Sequence, residues 1–136
     1  ATPDGMAKTG LTPLQLAAYA YDVKWLKLLL RYGADPNFPN KAPTAIVHAI
    51  QGKRLANLKA LLKGGALVDQ RDFHGQTPLL VATAENEPEM AKALLQAGAD
   101  PTVANKAGLT AEDMARGNGA LDLAEELRLA HLVYQP

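Results

Sequence analysis

The chain has 136 residues, enough for one domain or one short array, and 48% of them are hydrophobic, which supports a packed core rather than disorder. Fourteen basic residues balance fourteen acidic ones, so the bulk charge gives no support to a nucleic-acid or membrane-surface partner. Cysteine and serine are both absent, which excludes disulfides, thiolate metal sites and serine or cysteine nucleophiles.

Taken from the N-terminus, "GMAKTG" (5–10) has the look of a phosphate loop but lacks its spacing and its Gly-Lys-Ser/Thr ending. It reads as the turn leading to Thr12. "LTPLQLAA" (11–18) is a short apolar helix in which Thr12 caps and Pro13 occupies the first turn. "YAYDVKW" (19–25) holds three of the seven aromatic residues. Trp25 is expected to pack within a second helix, with the tyrosines covering the open end of the molecule; the alternative is an aromatic anchor patch at that end. Lys24, Lys27 and Arg31 lie three and four residues apart, on a solvated outer face. "LLRYGADPN" (29–37) closes the helix at Gly33, a left-handed stop.

The same signals then return. "PTAIVHAI" (43–50) and "QTPLLVAT" (76–83) repeat the first helix, and "LTAEDMAR" (109–116) repeats it again. "LLKGGALVD" (61–69) and "LLQAGADPT" (94–102) repeat the stop. The threonines Thr12, Thr44, Thr77 and Thr110 are 32, 33 and 33 residues apart; the glycines Gly33, Gly65 and Gly98 are 32 and 33 apart. Two independent markers sharing one period predict a stacked repeat. In the best-formed copy, Thr77-Pro78 starts a helix, "ENEP" (85–88) breaks it, and Pro88 starts a second helix that ends at Gly98. "ADPTVANKAG" (99–108) is an extended excursion with turn chemistry in "NKAG". Leu61, Leu62, Leu94 and Leu95 are expected to be buried between second helices. Ala17, Ala18, Ala49 and Ala82 let neighbouring helices approach closely.

Threonine-proline-leucine, double alanine, paired leucines and Gly-Ala-Asp at these offsets resemble the ankyrin repeat over residues 7 to about 133. "GLTPLQLAAYAYDVKWLKLLLRYGADPN" (10–37) and "DFHGQTPLLVATAENEPEMAKALLQAGADPT" (72–102) carry the likeness most fully. The resemblance implies an all-α solenoid of helix-turn-helix repeats with short hairpin-like fingers, at approximately 7–38, 39–71, 72–104 and 105–136 within a single domain. The last repeat lacks the Gly-Ala-Asp stop and carries Asp122, Glu125, Glu126 and Arg128, which suit the polar outer face of a C-terminal cap. No matching cap precedes Thr12, so the first repeat is itself a cap or residues are missing upstream. No signal peptide is expected in these residues, and a first residue of Ala1 rather than Met implies a processed or trimmed start.

The family pattern is broken in places. The excursion from Gly33 to Thr44 spans 11 residues, against 12 from Gly65 to Thr77, and contains Pro36, Pro39 and Pro43, so the first finger is expected to be distorted. The aspartate of the finger turn is present as Asp72 and replaced by Asn105. "VHA" (47–49) places a histidine on an apolar helix, where His48 is expected to be a core residue hydrogen-bonded by its neighbours.

His48, His74 and His131 fall in different repeats without metal-ligand spacing, so neither a metal nor another cofactor is expected. No nucleophile–base pair is present, and the chain reads as a non-enzymatic module. The resemblance implies a protein partner bound by the concave face and finger tips of a protein that is soluble and monomeric on its own. Two rows of positions vary from repeat to repeat: the tips Lys8 and Thr9, Asn40 and Lys41, Phe73 and His74, Lys106 and Ala107, and the first-helix ends Tyr19, Gln51 and Glu85. Phe73 is the expected centre, with Tyr19, Gln51, His74 and Glu85 around it, because exposed aromatic side chains suit anchoring. His74 reads equally as a solvated turn residue or a brace between fingers. "NKAGLTAEDMA" (105–115) resembles bacterial ankyrin proteins, which implies as an alternative an inhibitor or immunity-type protein that occludes a toxin or enzyme active site, in a periplasm or a cytoplasm.

Overall fold

A computed structural model describes residues 11–20, 22–37, 44–71 and 75–134. Among these residues the secondary structure is helical, in eight elements: α1 (Pro13–Ala20), α2 (Val23–Arg31), α3 (Ala45–Gln51), α4 (Leu55–Lys63), α5 (Pro78–Ala84), α6 (Pro88–Gln96), α7 (Ala111–Gly117) and α8 (Leu121–Val133). Each repeat is a pair of these helices. The chain groups into two compact units, Ala1–Leu67 and Val68–Pro136.

The periodic threonines are the residues immediately before α1, α3, α5 and α7. Three of them cap. Thr12 and Gln15 satisfy each other's backbone N–H groups with their side-chain oxygens, at 2.9 and 3.1 Å. Thr110 and Asp113 do the same at 3.3 and 3.0 Å. Thr77 Oγ1 accepts the N–H of Leu80 at 3.4 Å. Thr44 keeps the position without the bond, and its hydroxyl has no partner among the described residues.

The periodic glycines end the second helices in one motif. Gly33, Gly65 and Gly98 have φ of +93°, +98° and +95°, the left-handed region that costs glycine least. This lets the N–H of Ala34, Ala66 and Ala99 reach the carbonyls of Leu29, Leu61 and Leu94, each at 3.0 Å. α3, α5 and α7 end in the same way, through a lysine, an asparagine and a glycine. Lys53 and Asn86 have φ of +57° and +56°, and Gly119 stands at +76° in the matching position of the last repeat. Arg54, Glu87 and Ala120 then donate to the carbonyls of Ala49, Ala82 and Ala115, each at 2.9 Å.

In the first unit α1 packs on α3 and α2 on α4. Ala17, Ala18, Ala45 and Ala49 are fully buried where α1 and α3 meet their neighbours. Asn57 of α4 reaches back to the end of α1, where its side-chain amide donates to the carbonyls of Ala18 at 3.1 Å and Ala17 at 3.3 Å. These belong to the last turn of α1, whose carbonyls lack helical partners. In the second unit α5 packs on α6 and α7, and α7 on α8. Asn118 supplies the corresponding service there, donating to Thr83 O at 3.1 Å.

Only half of the paired leucines behave as expected. Leu61 and Leu94 are fully buried, but Leu62 and Leu95 are half-buried. Successive helical residues differ by about 100° in direction, so two adjacent leucines cannot both face a narrow interface. Leu58 in α4 and Ala91 in α6 complete the buried faces three residues earlier.

Trp25 also departs from expectation. It is 60% exposed rather than packed within the second helix. His48 is buried as expected, but its Nε2 has no hydrogen-bond partner among the described residues. The first finger, with Pro39 and Pro43, lies largely outside the described residues.

Candidate protein-interaction surface

The excursions that follow the glycine stops are tied together by side chains. In the first unit Asn37 Oδ1 accepts the N–H of Leu67 at 2.7 Å, and its amide donates to Gly65 O at 3.2 Å. In the second unit Asp69 accepts the N–H of Asp100, at 3.0 Å to Oδ1 and 3.3 Å to Oδ2. Asn37 and Asp69 each lie four residues beyond a stop glycine, and Leu67 and Asp100 each lie two beyond the next. One bond therefore recurs with one period. Asp35 and Asp100 shape these loops locally by accepting the N–H two residues on, from Asn37 at 2.9 Å and Thr102 at 2.8 Å.

The finger at 104–110 is a tight turn closed by a single antiparallel bridge between Ala104 and Thr110. Asn105, standing where the family has aspartate, accepts from the N–H of Ala107 at 2.9 Å and of Leu109 at 3.0 Å. An amide oxygen organises the turn as a carboxylate would. Lys106 and Ala107 are exposed at its tip. Lys106 extends toward the neighbouring finger, where its Cε passes 3.6 Å from the position a Cβ would take on Gly75.

Of the five expected partner-binding residues, Phe73 and His74 lie outside the described residues. The tip positions Lys8, Thr9, Asn40 and Lys41 lie outside them too. Tyr19 is the penultimate residue of α1 and is 51% exposed; Gln51, the last residue of α3, is exposed as well. The close approach of α1 and α3 brings these two helix ends together, since Gly52 sits directly against the Tyr19 carbonyl. Glu85 is exposed at the end of α5 but stands out of register. Tyr19 and Gln51 follow their threonines by seven residues and Glu85 follows Thr77 by eight, so its equivalents are Gly52 and Asn118. Ala84 is the true counterpart of Gln51.

Chemistry is sparse among the described residues. No three His, Asp or Glu side chains gather to hold a metal ion. Among the described residues no helix is long and apolar enough to cross a membrane. Burial holds the His48 imidazole below its usual pKa of 6.5. The hydrogen bond from Arg128 holds the Glu125 carboxyl below the usual range on the outside of α8. Lys92 bridges α6 to α8 by an ion pair with Glu126 at 3.5 Å. Lys24, Lys27 and Arg31 form the exposed outer face expected of them. The exposed face of α8 carries Leu121, Leu129, Leu132 and Val133 beside its charged residues, so it is more apolar than those charges imply.

The family model described as ankyrin repeats (3 copies) matches residues 14–105, about two thirds of the chain. The human transient receptor potential cation channel subfamily A member 1 is 32% identical over 118 residues, covering 85% of this chain and 10% of that protein. The Caenorhabditis elegans ankyrin repeat and KH domain-containing protein mask-1 is 38% identical over 98 residues, covering 70% of this chain and 4% of that protein. The chicken nuclear factor NF-kappa-B p105 subunit is 33% identical over 99 residues, 71% of this chain and 10% of that protein. The chain thus spans a tenth or less of the length of these relatives. These relatives are eukaryotic, and fission yeast and fowlpox virus supply further ones, which lends no support to the bacterial or inhibitor reading. Repeats of this kind are generally protein-interaction modules without enzymatic activity. With helices in periodic pairs among the described residues, stops repeated in register and a family match over most of its length, the chain belongs to the ankyrin-repeat family, in the all-α repeat-solenoid fold class.

Proposed function

We propose that this chain binds a protein partner through its first-helix ends and finger tips, by Tyr19 and Gln51 in the first unit and by Phe73, His74 and Glu85 in the second. The observation that carries this reading is Tyr19. It is a large aromatic side chain left 51% exposed beside the exposed Gln51, at the ends of helices whose other faces are buried. An aromatic ring with a polar tip, placed on a rigid element, loses little freedom on binding and buries much area. The loop bonds of Asn37 and Asp69 support the same reading, because they fix the excursions from which fingers project.

The full chain is used to capture a partner from its native source, the partner is identified by mass spectrometry, and affinities are then measured with purified proteins. Tyr19→Ala and Phe73→Ala are each expected to weaken binding tenfold or more, about 1.4 kcal/mol. Lys92→Ala, on the opposite helical layer, is expected to change it less than twofold. A tenfold loss from Lys92→Ala with no loss from the other two places the partner on the outer helices and overturns the assignment.

A further inference from the structure

The neutral bulk charge of the chain hides two opposite halves. Residues 1–67 hold nine Lys and Arg against three acidic residues, and residues 68–136 hold five against eleven, so the two compact units carry formal charges of +6 and −6. The repeat register shows where part of this charge stands. The positions 12, 15 and 19 residues after each periodic threonine lie on the second helix of the repeat, and all are exposed except the half-buried Lys92. Their exposure belongs to the repeat and not to either end of the chain. They read Lys24, Lys27 and Arg31 in α2, and Ala56, Lys59 and Lys63 in α4. In α6 they read Glu89, Lys92 and Gln96, and in α8 Asp122, Glu125 and Leu129. The charge at these positions therefore runs +3, +2, 0 and −2.

In the second unit opposite charges already meet. Lys92 lies 3.8 Å from Glu89 and 3.5 Å from Glu126, and Arg128 pairs with Glu125. The five cations of α2 and α4 form no ion pair among the described residues. On α2 they stand three and four residues apart, where like charges repel and an anionic surface would relieve them. Each face also has an apolar centre. Lys24, Lys27 and Arg31 surround Leu28 in a shallow hollow of about 340 Å³. Leu95 and Leu129 line another of about 370 Å³ with Glu126 at its side. An apolar centre within a charged rim is the anatomy of a protein interface.

We propose that the chain associates with a second copy of itself, the outer face of α2 in one copy docking on the outer face of α8 in the other. Lys24, Lys27 and Arg31 meet Asp122, Glu125 and Glu126, and Leu28 meets Leu129. This departs from the monomer expected of the sequence, and it does not rest on the partner surface proposed above, which uses other residues. A nucleic acid or an anionic membrane would complement α2 and α4 but repel the second unit, whereas a second copy complements both units. Exposed ion pairs are individually weak and are screened by salt, so the association is weak and salt-dependent. It joins unlike faces, so it extends beyond a dimer unless a second contact closes the pair.

Sedimentation velocity of the full chain from about 10 µM to about 1 mM, in about 20 mM and about 500 mM salt, tests this. The average mass is expected to rise with concentration at low salt and to stay that of a monomer at high salt. Lys24→Glu with Lys27→Glu is expected to weaken association at least tenfold. Arg71→Glu with Lys106→Glu changes the net charge equally at exposed positions elsewhere and is expected to weaken it less than threefold. Adding Asp122→Lys and Glu125→Lys to Lys24→Glu and Lys27→Glu reverses both faces in one chain and is expected to restore association. A mixture of the two double variants is expected to associate as well. The proposal is overturned by any of four results. The full chain stays monomeric at low salt, which leaves the basic face to solvent, or to a membrane where the chain binds phosphatidylserine vesicles. Association survives high salt, which assigns it to apolar surface elsewhere. The two charge-matched variants lose association equally, which assigns it to net charge. Or neither the fourfold variant nor the mixture associates, which breaks the pairing of α2 with α8.

Discussion

The carboxylate of Asp69 accepts the backbone N–H of Asp100 at 3.0 Å, across 31 residues of chain. Asn37 makes the same bond to Leu67 one period earlier, at 2.7 Å. An aspartate and an asparagine are therefore interchangeable here as acceptors. Asp69→Asn is expected to cost less than about 0.5 kcal/mol and Asp69→Ala about 1–2 kcal/mol, the value of a half-buried bond with a charged acceptor. Urea denaturation of the two variants checks this. Equal losses would mean that the charge, and not the acceptor oxygen, is what matters.

Two glycines with ordinary backbone angles separate close packing from conformational need. A Cβ on Gly52 would stand 2.3 Å from the Tyr19 carbonyl oxygen, and backbone cannot yield as a flexible side chain does. Gly52→Ala is expected to destabilise by about 1–3 kcal/mol by forcing α1 and α3 apart. Gly117 ends α7 with nothing within 4 Å of its Cβ direction. There alanine is expected to be neutral or to stabilise by up to about 1 kcal/mol, since it restricts the unfolded chain and favours helix. Thermal unfolding of the pair decides it, the informative result being the opposite signs.

The leucine pairs show how far the sequence could be read. The threonine and glycine spacings gave the period, and the leucine pairs marked the second helices of the first three repeats. Neither gave the rotation of each helix: Leu94 is fully buried and Leu95 only half-buried, although the two are the same residue in the same pattern. Leu94→Ala is expected to cost about 2–5 kcal/mol and Leu95→Ala less than about half as much, measured by chemical denaturation. Equal costs would place the interface between the two side chains.

Trp25 was illegible for a different reason. Its helical position is that of the buried Asn57, Met90 and Leu123, yet it is 60% exposed, so position within the repeat does not by itself fix burial. The stop after the first helices is legible at Asn86 and Gly119, residue types that favour the left-handed region, but not at Lys53, which takes up φ of +57°. For the candidate surface, spacing placed Tyr19 and Gln51 on equivalent helix ends. The alignment of Glu85 with them failed by one residue, because α5 ends with Ala84 and Glu85 is its cap. A position read from "ENEP" by its charge carries no information about which turn of helix it closes.

His48 is expected to make the stability of the first unit depend on pH. Burial disfavours the charged imidazolium, so its pKa in the folded state lies below the usual 6.5 that the unfolded chain presents. Between those two values the unfolded state binds more protons than the folded one, and stability falls as pH falls. The contribution is complete above pH 6.5 and is lost progressively below it, toward the folded-state value. The unpartnered Nε2 sharpens the expectation, because no acceptor stands ready for a second N–H proton. The first repeat has Leu16 at this position and the third has Val81, so the site tolerates an aliphatic side chain in equivalent packing. His48→Leu is expected to flatten the fall in stability between about pH 6.5 and 5 and to match or exceed the unsubstituted chain at pH 7. Urea midpoints at half-unit pH intervals measure it. A slope that survives in His48→Leu would mean that another group, and not the buried imidazole, takes up the proton.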